Sequence, residues 1–304
     1  EDDKGDEAEA TQERTLALIR TSPTTGYYMD VFRSDSKLPD EYHDYLYHNI
    51  GDELEFLNED ISLKPDAKRY MANANIEWRQ NGRYRNPGWH FFEEVKTSKN
   101  YSSDVKVRFA LNQLKDNKKR FMNLFISGNQ DREYTKVMAP KTFQAPEPYD
   151  SLPTPTLVIR QKGEAWSNPF AVIYEPTYNK NPKKGGIQSV SRLENNDVFK
   201  GFKVESRIGN KVIIQYIINQ QRDSSYVNIE LGLHFTGTFA IITYSENNKL
   251  KDVYIGEGLS LKTNKVQVKS NDNEATNIAA FIDFSKKEPA TKATENTEVI
   301  FTND

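Results

Sequence analysis

The 304-residue sequence contains no cysteine. Disulfides and thiolate chemistry are therefore excluded, and the absence fits an oxidising exterior and a reducing cytosol equally. Only four histidines are present, so any imidazole-based site has few residues to draw on. No apolar run approaches the roughly 18 residues of a membrane-spanning helix. Neither sign of charge dominates: 41 basic and 44 acidic residues leave a net charge of −3. That balance argues against nucleic acid as a bulk electrostatic partner. The phosphate-loop spacing, Gly-x-Ser-x-Gly, His-Glu-x-x-His and the EF-hand pattern are all missing. There is no sequence repeat of fixed period, and no long amphipathic helical period follows residue 20. A signal peptide and an initiating Met are also lacking. The chain opens Glu1-Asp2-Asp3-Lys4-Gly5-Asp6, which reads as a processed or excised end to be kept out of fold reasoning.

What is present is aromatic and strand-forming. Hydrophobic residues make up 36% of the chain and aromatics 12%, with sixteen Tyr matching sixteen Phe. Tyrosine joins an apolar body to a polar tip, so such a chain lines half-wet faces. Short runs such as Tyr27 to Arg33, Asp104 to Ala110, Thr156 to Arg160, Lys211 to Ile218 and His234 to Tyr244 recur with turn residues between them. Gly209-Asn210 marks a tight hairpin. The pattern predicts an all-β fold, a large antiparallel β-sandwich with little helix. Residues 1–12 read as a disordered or tag-like lead-in. Residues 13–145 form the first part of the sandwich, with a long irregular connection over 58–90. Pro146 to Pro155 is a proline-rich crossover, and 156–304 form the second part.

One stretch concentrates site chemistry: Tyr42-His43-Asp44-Tyr45-Leu46-Tyr47-His48-Asn49. Strand alternation puts Tyr42, Asp44, Leu46 and His48 on one face and His43, Tyr45, Tyr47 and Asn49 on the other. The two histidines therefore point apart, and they cannot by themselves supply the three or four ligands a zinc ion needs at one point. One face of this strand should look toward a cleft or docking surface and the other should be core. His43, Asp44, Tyr45, Tyr47 and His48 are the candidate cleft residues. The plainer alternative is that one histidine is a core group and the other bonds a loop. A second cluster, Trp78, Arg79, Arg83, Tyr84, Arg85, Trp89 and His90, suits a saccharide. Aromatic rings stack on sugar faces, and guanidinium groups make bidentate contacts to carboxylates or sulfates. Its bland counterpart is a loop pinned by Trp89 with solvated arginines. Lys180, Lys183 and Lys184 beside Gly185-Gly186 read as a solvated turn, and His234 as a core histidine.

Several segments carry a family resemblance: Arg14-Thr15-Leu16-Ala17-Leu18-Ile19, Gly26 to Arg33, His43 to Asn49, Gly88-Trp89-His90-Phe91-Phe92, Met138-Ala139-Pro140, Leu152 to Thr156 and Arg160 to Phe170. Together they resemble the β-sandwich region of heparinase II/III-like bacterial polysaccharide lyases, over nearly the whole chain after residue 13. The resemblance implies a helical toroid followed by an antiparallel sandwich, and cleavage of uronic-acid-containing glycans by β-elimination. It implies that a Tyr or His base takes the C5 proton while polar side chains neutralise the uronate carboxylate. It also implies a structural zinc in the intact protein, held by residues upstream of the matched segments, and no cofactor in this chain. No toroid is encoded here, so no catalytic set is complete in this chain. The expectation is a C-terminal β-region, secreted or periplasmic. Its partners would be an acidic polysaccharide and an upstream toroid, with no nucleic acid and no membrane. The alternative is a non-catalytic carbohydrate-binding or interaction module.

Overall fold

A computed structural model describes residues 10–38, 40–69, 89–180, 186–271 and 276–302. These residues are all-β and antiparallel, with a short 3-10 turn at Trp89–Phe91 and no α-helix among them. The chain divides into two compact units. The first comprises Gly26–Lys184 and the chain up to Ile19; the second comprises Gly185–Asp304 with Arg20–Thr25.

The first unit contains β1 (Ala10–Arg20), β2 (Gly26–Ser36), β3 (Tyr42–His48), β4 (Glu53–Phe56), β5 (Lys64–Pro65), β6 (Glu93–Thr97), β7 (Val105–Leu111), β8 (Arg120–Ile126), β9 (Arg132–Ala139), β10 (Thr154–Lys162) and β11 (Ala165–Thr177). They form a six-stranded sheet, β1-β2-β11-β8-β7-β4, and a five-stranded sheet, β3-β10-β9-β6-β5. One core lies between them: Val107, Phe109, Leu124, Phe170 and Val172 come from the first sheet, and Tyr45, Tyr134, Leu157 and Ile159 from the second. Alternation sends Leu46, Val137 and Val158 to the other face of the five-stranded sheet, where they pack with Trp89, Phe92 and Val95. The segment from Pro146 to Pro155 joins β9 to β10, which are direct neighbours in one sheet. β1 begins at Ala10, inside the lead-in expected over 1–12, and Leu16 and Leu18 on it are exposed. An edge strand covered on fewer sides explains this.

Proline is tolerated inside β11 because Pro169 falls where the pairing with β2 breaks register, between Ala165 and Phe170. The guanidinium of Arg132 holds that irregularity. It is fully buried and donates to the carbonyls of Ser127 (2.9 Å), Asn168 (2.9 Å) and Pro169 (2.8 Å) and to Gln161 Oε1 (2.9 Å). It also lies over the Phe170 ring.

The second unit contains β12 (Ile187–Asn195), β13 (Val198–Ile208), β14 (Lys211–Asn219), β15 (Ser225–Asn228), β16 (Leu233–Ser245), β17 (Leu250–Lys262), β18 (Val266–Ser270), β19 (Ile278–Asp283), β20 (Ala290–Ala293) and β21 (Thr297–Phe301). All ten belong to one sheet, with the main path β12-β13-β14-β16-β17-β18-β21. β17 changes partner along its length: Asp252 to Gly258 pair with β19, and Ser260 to Lys262 pair with β18. The change occurs at Gly258. A Cβ on Gly237, whose φ is +142°, would sit 2.3 Å from the Gly258 Cα. Two glycines facing each other let the strands bend there. The sheet thus closes on its own core, with Ile218, Leu233, Phe235, Ile242, Val253 and Ile255 at its centre. His234 alternates with buried Leu233 and Phe235 and is exposed, so it is not a core histidine.

Candidate functional site

β3 pairs with β10 in a register that decides its chemistry: Asp44 faces Arg160, His48 faces Thr156, and Tyr45 faces Ile159. The inward face carries His43, Tyr45 and Tyr47. His43 is buried, and its Nδ1 is bonded to Ser34 Oγ at 2.7 Å. Tyr45 is buried in a polar chain that crosses the sandwich. Its hydroxyl donates to Asp30 Oδ2 (2.6 Å) and is bonded in turn to the Tyr174 hydroxyl. Arg14 closes the chain with a bidentate contact to Asp30, 3.0 and 2.6 Å, and its guanidinium lies over the Tyr45 ring. Tyr47 packs on Tyr174 with ring centroids 4.7 Å apart.

Burial, with the Asp30 charge added, pushes the Tyr45 phenol far above its usual range. Burial does the same for Tyr174, where the neighbouring Tyr45 adds to it. Burial pushes Tyr47 up to about 12. These phenols are held as neutral donors. A general base needs a pKa near the working pH, and this chain of hydroxyls is the opposite: it fixes a buried carboxylate beneath the half-exposed guanidinium of Arg14.

The outward face carries Tyr42, Asp44, Leu46 and His48. Arg160 binds Asp44 in a two-pronged contact, 2.7 and 2.8 Å. Its guanidinium stands 5.1 Å from the centre of the Tyr42 ring and 5.3 Å from that of Trp89. Tyr42 is 55% exposed. Trp89 is buried and stacks on Phe92. His48 Nδ1 is bonded to Thr156 Oγ1 at 2.7 Å, and partial desolvation lowers its pKa. An exposed phenol ring braced by a guanidinium is a surface on which a sugar face can stack.

Of the aromatic–arginine cluster, Trp78, Arg79, Arg83, Tyr84 and Arg85 lie outside the described residues, as does the side chain of His90; Lys183 and Lys184 lie outside them too. The segment leaves from Arg69, which is anchored by an ion pair to Glu133. Glu133 lines a cavity of about 700 Å³, together with Asp60, Lys64, Lys99 and Tyr101. Tyr101 donates to Asp60 there, at 2.7 Å. Among the described residues no three His, Asp or Glu side chains gather as a metal would require. The histidines of β3 stand on opposite faces, each engaged by a hydroxyl.

Sequence reasoning found the two faces of β3 but missed Arg160 and Arg14, the cations that complete them. Arg160 is 116 positions from Asp44, and only the β3–β10 register brings them opposite.

Comparison with known proteins gives two matches. Residues 187–281 match the family described as the endo-acting ulvan lyase C-terminal domain. That span runs from the start of β12 into β19. The chain is also 38% identical over 262 residues to an endo-acting ulvan lyase of Formosa agariphila. The alignment covers 85% of this chain and 30% of the relative, so the chain spans under a third of that protein's length. No solved structure matches. The similarity is to the C-terminal region of a polysaccharide lyase, and the matched names do not include a heparinase II/III-like protein.

Proposed function

We propose that this chain is the β-region of a polysaccharide lyase that breaks a uronic-acid-containing glycan by β-elimination. The observation that carries the reading is the 38% identity over 262 residues to an endo-acting ulvan lyase. In such an elimination a base removes the C5 proton of the uronate. The electron pair forms the C4–C5 double bond, and the glycosidic C4–O bond breaks with its electrons leaving on oxygen. The carboxylate must be neutralised for that proton to leave. The buried phenols of Tyr45 and Tyr174 are held protonated beside Asp30 and so do not supply the base. The chain's part is to brace and bind: the Arg14–Asp30–Tyr45–Tyr174 chain stiffens the sandwich, while Tyr42, backed by Arg160, offers a ring to a sugar. A substrate of polymeric size favours a protein that acts outside the cytoplasm, in the periplasm or beyond.

The test uses the longest natural polypeptide that contains this chain, incubated with ulvan and with other uronic-acid polymers. The expected result is a rise in the ultraviolet absorbance that marks an unsaturated uronate. Shortening of the polymer without that absorbance, or no cleavage of any of them, would overturn the reading. Tyr42→Ala in the same polypeptide should raise KM more than it lowers kcat, since the ring is proposed to bind rather than to react.

A further inference from the structure

The second unit has a cavity of about 730 Å³ at one end of its sheet. Four loops and a strand end build it, the loop between β15 and β16 bringing Glu230 and Leu231. The turn between β16 and β17 brings Lys249, and the turn between β17 and β18 brings Lys265. The segment after β19 brings Phe284, Lys286, Lys287 and Pro289, and the end of β21 brings Phe301. Four lysines thus converge from three separate loops, with Glu230 the one carboxylate among the lining residues. Asp283 lies within electrostatic reach of Lys286. Lys249 and Lys287 form no ion pair with any described residue. Gathering like charges at one mouth costs free energy unless something anionic offsets it.

The floor is apolar. Phe284 and Phe301 meet edge to face, with centroids 6.1 Å apart, and Phe301 is 41% exposed. Leu250 and Tyr244 line the same space. The Tyr244 hydroxyl is buried without a protein hydrogen-bond partner. Phenyl rings and a group of lysines suit one chemistry: a sugar whose C–H faces lie on the rings and whose carboxylate or sulfate meets the ammonium groups. The volume falls in the range of roughly 300–1,000 Å³ usual for small-ligand sites.

We infer that this cavity is a binding subsite for an anionic saccharide, held by Lys249, Lys286 and Lys287 over the Phe284–Phe301 floor. The inference rests on the lyase reading only for the source of the glycan. It puts a glycan contact in the unit that contains the ulvan-lyase C-terminal match, a different unit from the one that carries Tyr42 and Tyr45.

The experiment titrates the 304-residue chain with ulvan, with a sulfate-free polyuronate and with a neutral glucan. Three proteins are compared: the natural chain, the variant Lys249→Gln/Lys286→Gln/Lys287→Gln, and a charge-matched control, Lys106→Gln/Lys118→Gln/Lys119→Gln. The cavity variant should bind at least one of the two anionic polymers about tenfold more weakly, and the control should change by less than about twofold. The polymer that shows the drop says whether sulfate or carboxylate is recognised. Equal losses in both variants, no binding of either polyanion by the natural chain, or equal affinity for the neutral glucan would each overturn the inference. Phe301→Ser adds a second readout on the floor: affinity for the anionic polymer falls. An unchanged affinity would remove the aromatic floor from the site and overturn the inference as stated. Turnover assays separate the two claims. Lysine-dependent binding without uronate turnover in the longer polypeptide sinks the lyase reading alone, and turnover with lysine-independent binding sinks the subsite alone.

Discussion

The two units solve the same packing problem with different materials. The first keeps charge inside: Asp30, Arg33, Arg108, Arg132 and Glu175 are buried there, whereas Lys200 is the one charged side chain buried among the described residues of the second. In the first unit these groups are tied into ladders. Arg108 donates to Asn123, which donates to Glu175, across three neighbouring strands. The second unit closes a single sheet on an aliphatic and aromatic core and leaves its lysines at the rim. The difference has a physical reading. Two stacked sheets can slide in register, and a buried charge that is satisfied in one register alone penalises the others. One sheet bent at paired glycines has its geometry set by backbone contacts and needs no such pins.

The contrast can be broken most directly at Arg132. Arg132→Met should cost about 3–5 kcal/mol, because it leaves three buried carbonyls and a glutamine unpaired. Urea unfolding gives the magnitude, and amide exchange should place the loss in β9, β10 and β11 rather than in β16 and β17. A loss below about 1 kcal/mol would mean that the buried guanidinium does not pin the sandwich.

Alkali should come next. Tyr47 is pushed up to about 12 in the folded chain, and burial raises Tyr45 and Tyr174 as well, whereas an unfolded phenol titrates near about 10. The folded state then holds protons that the unfolded state releases. The stability contributed by these neutral phenols is complete below pH about 10 and is lost as pH rises toward and beyond about 12. Tyr45→Phe should make stability less steep in pH above about 10, and an unchanged slope would contradict the assignment.

Arg160→Gln should cost about 1 kcal/mol, since its ion pair with Asp44 is partly exposed. It should also weaken glycan binding through Tyr42 more than Asp44→Asn does. The smallest effect belongs to the second unit: Tyr244→Phe should change stability by less than about 1 kcal/mol and in the stabilising direction. A large destabilisation there would erase the contrast between the units.

Much of the scaffold could be read from the sequence because alternation and turn chemistry are local. Gly209-Asn210 does form the two-residue turn between β13 and β14, with Ile208 facing Lys211. The division of β3 into a His43–Tyr45–Tyr47 face and a Tyr42–Asp44–His48 face holds, and the first of these is the core side. What could not be read depends on register and on edges. Leu16 and Leu18 are exposed because β1 lies at a sheet edge, which no local pattern reports. Arg160 meets Asp44, and Arg14 meets Asp30, only once the strands are aligned. The lysines of the second unit are scattered as isolated surface charges in sequence, and they become a cluster only when three loops share one end of a sheet.

The most direct test of the account is an assay of the 304-residue chain beside the longest natural polypeptide that contains it, on ulvan, following both binding and ultraviolet absorbance. The account predicts that the chain by itself binds the polymer and forms no unsaturated uronate, while the longer polypeptide does both. Turnover by the chain alone would contradict it.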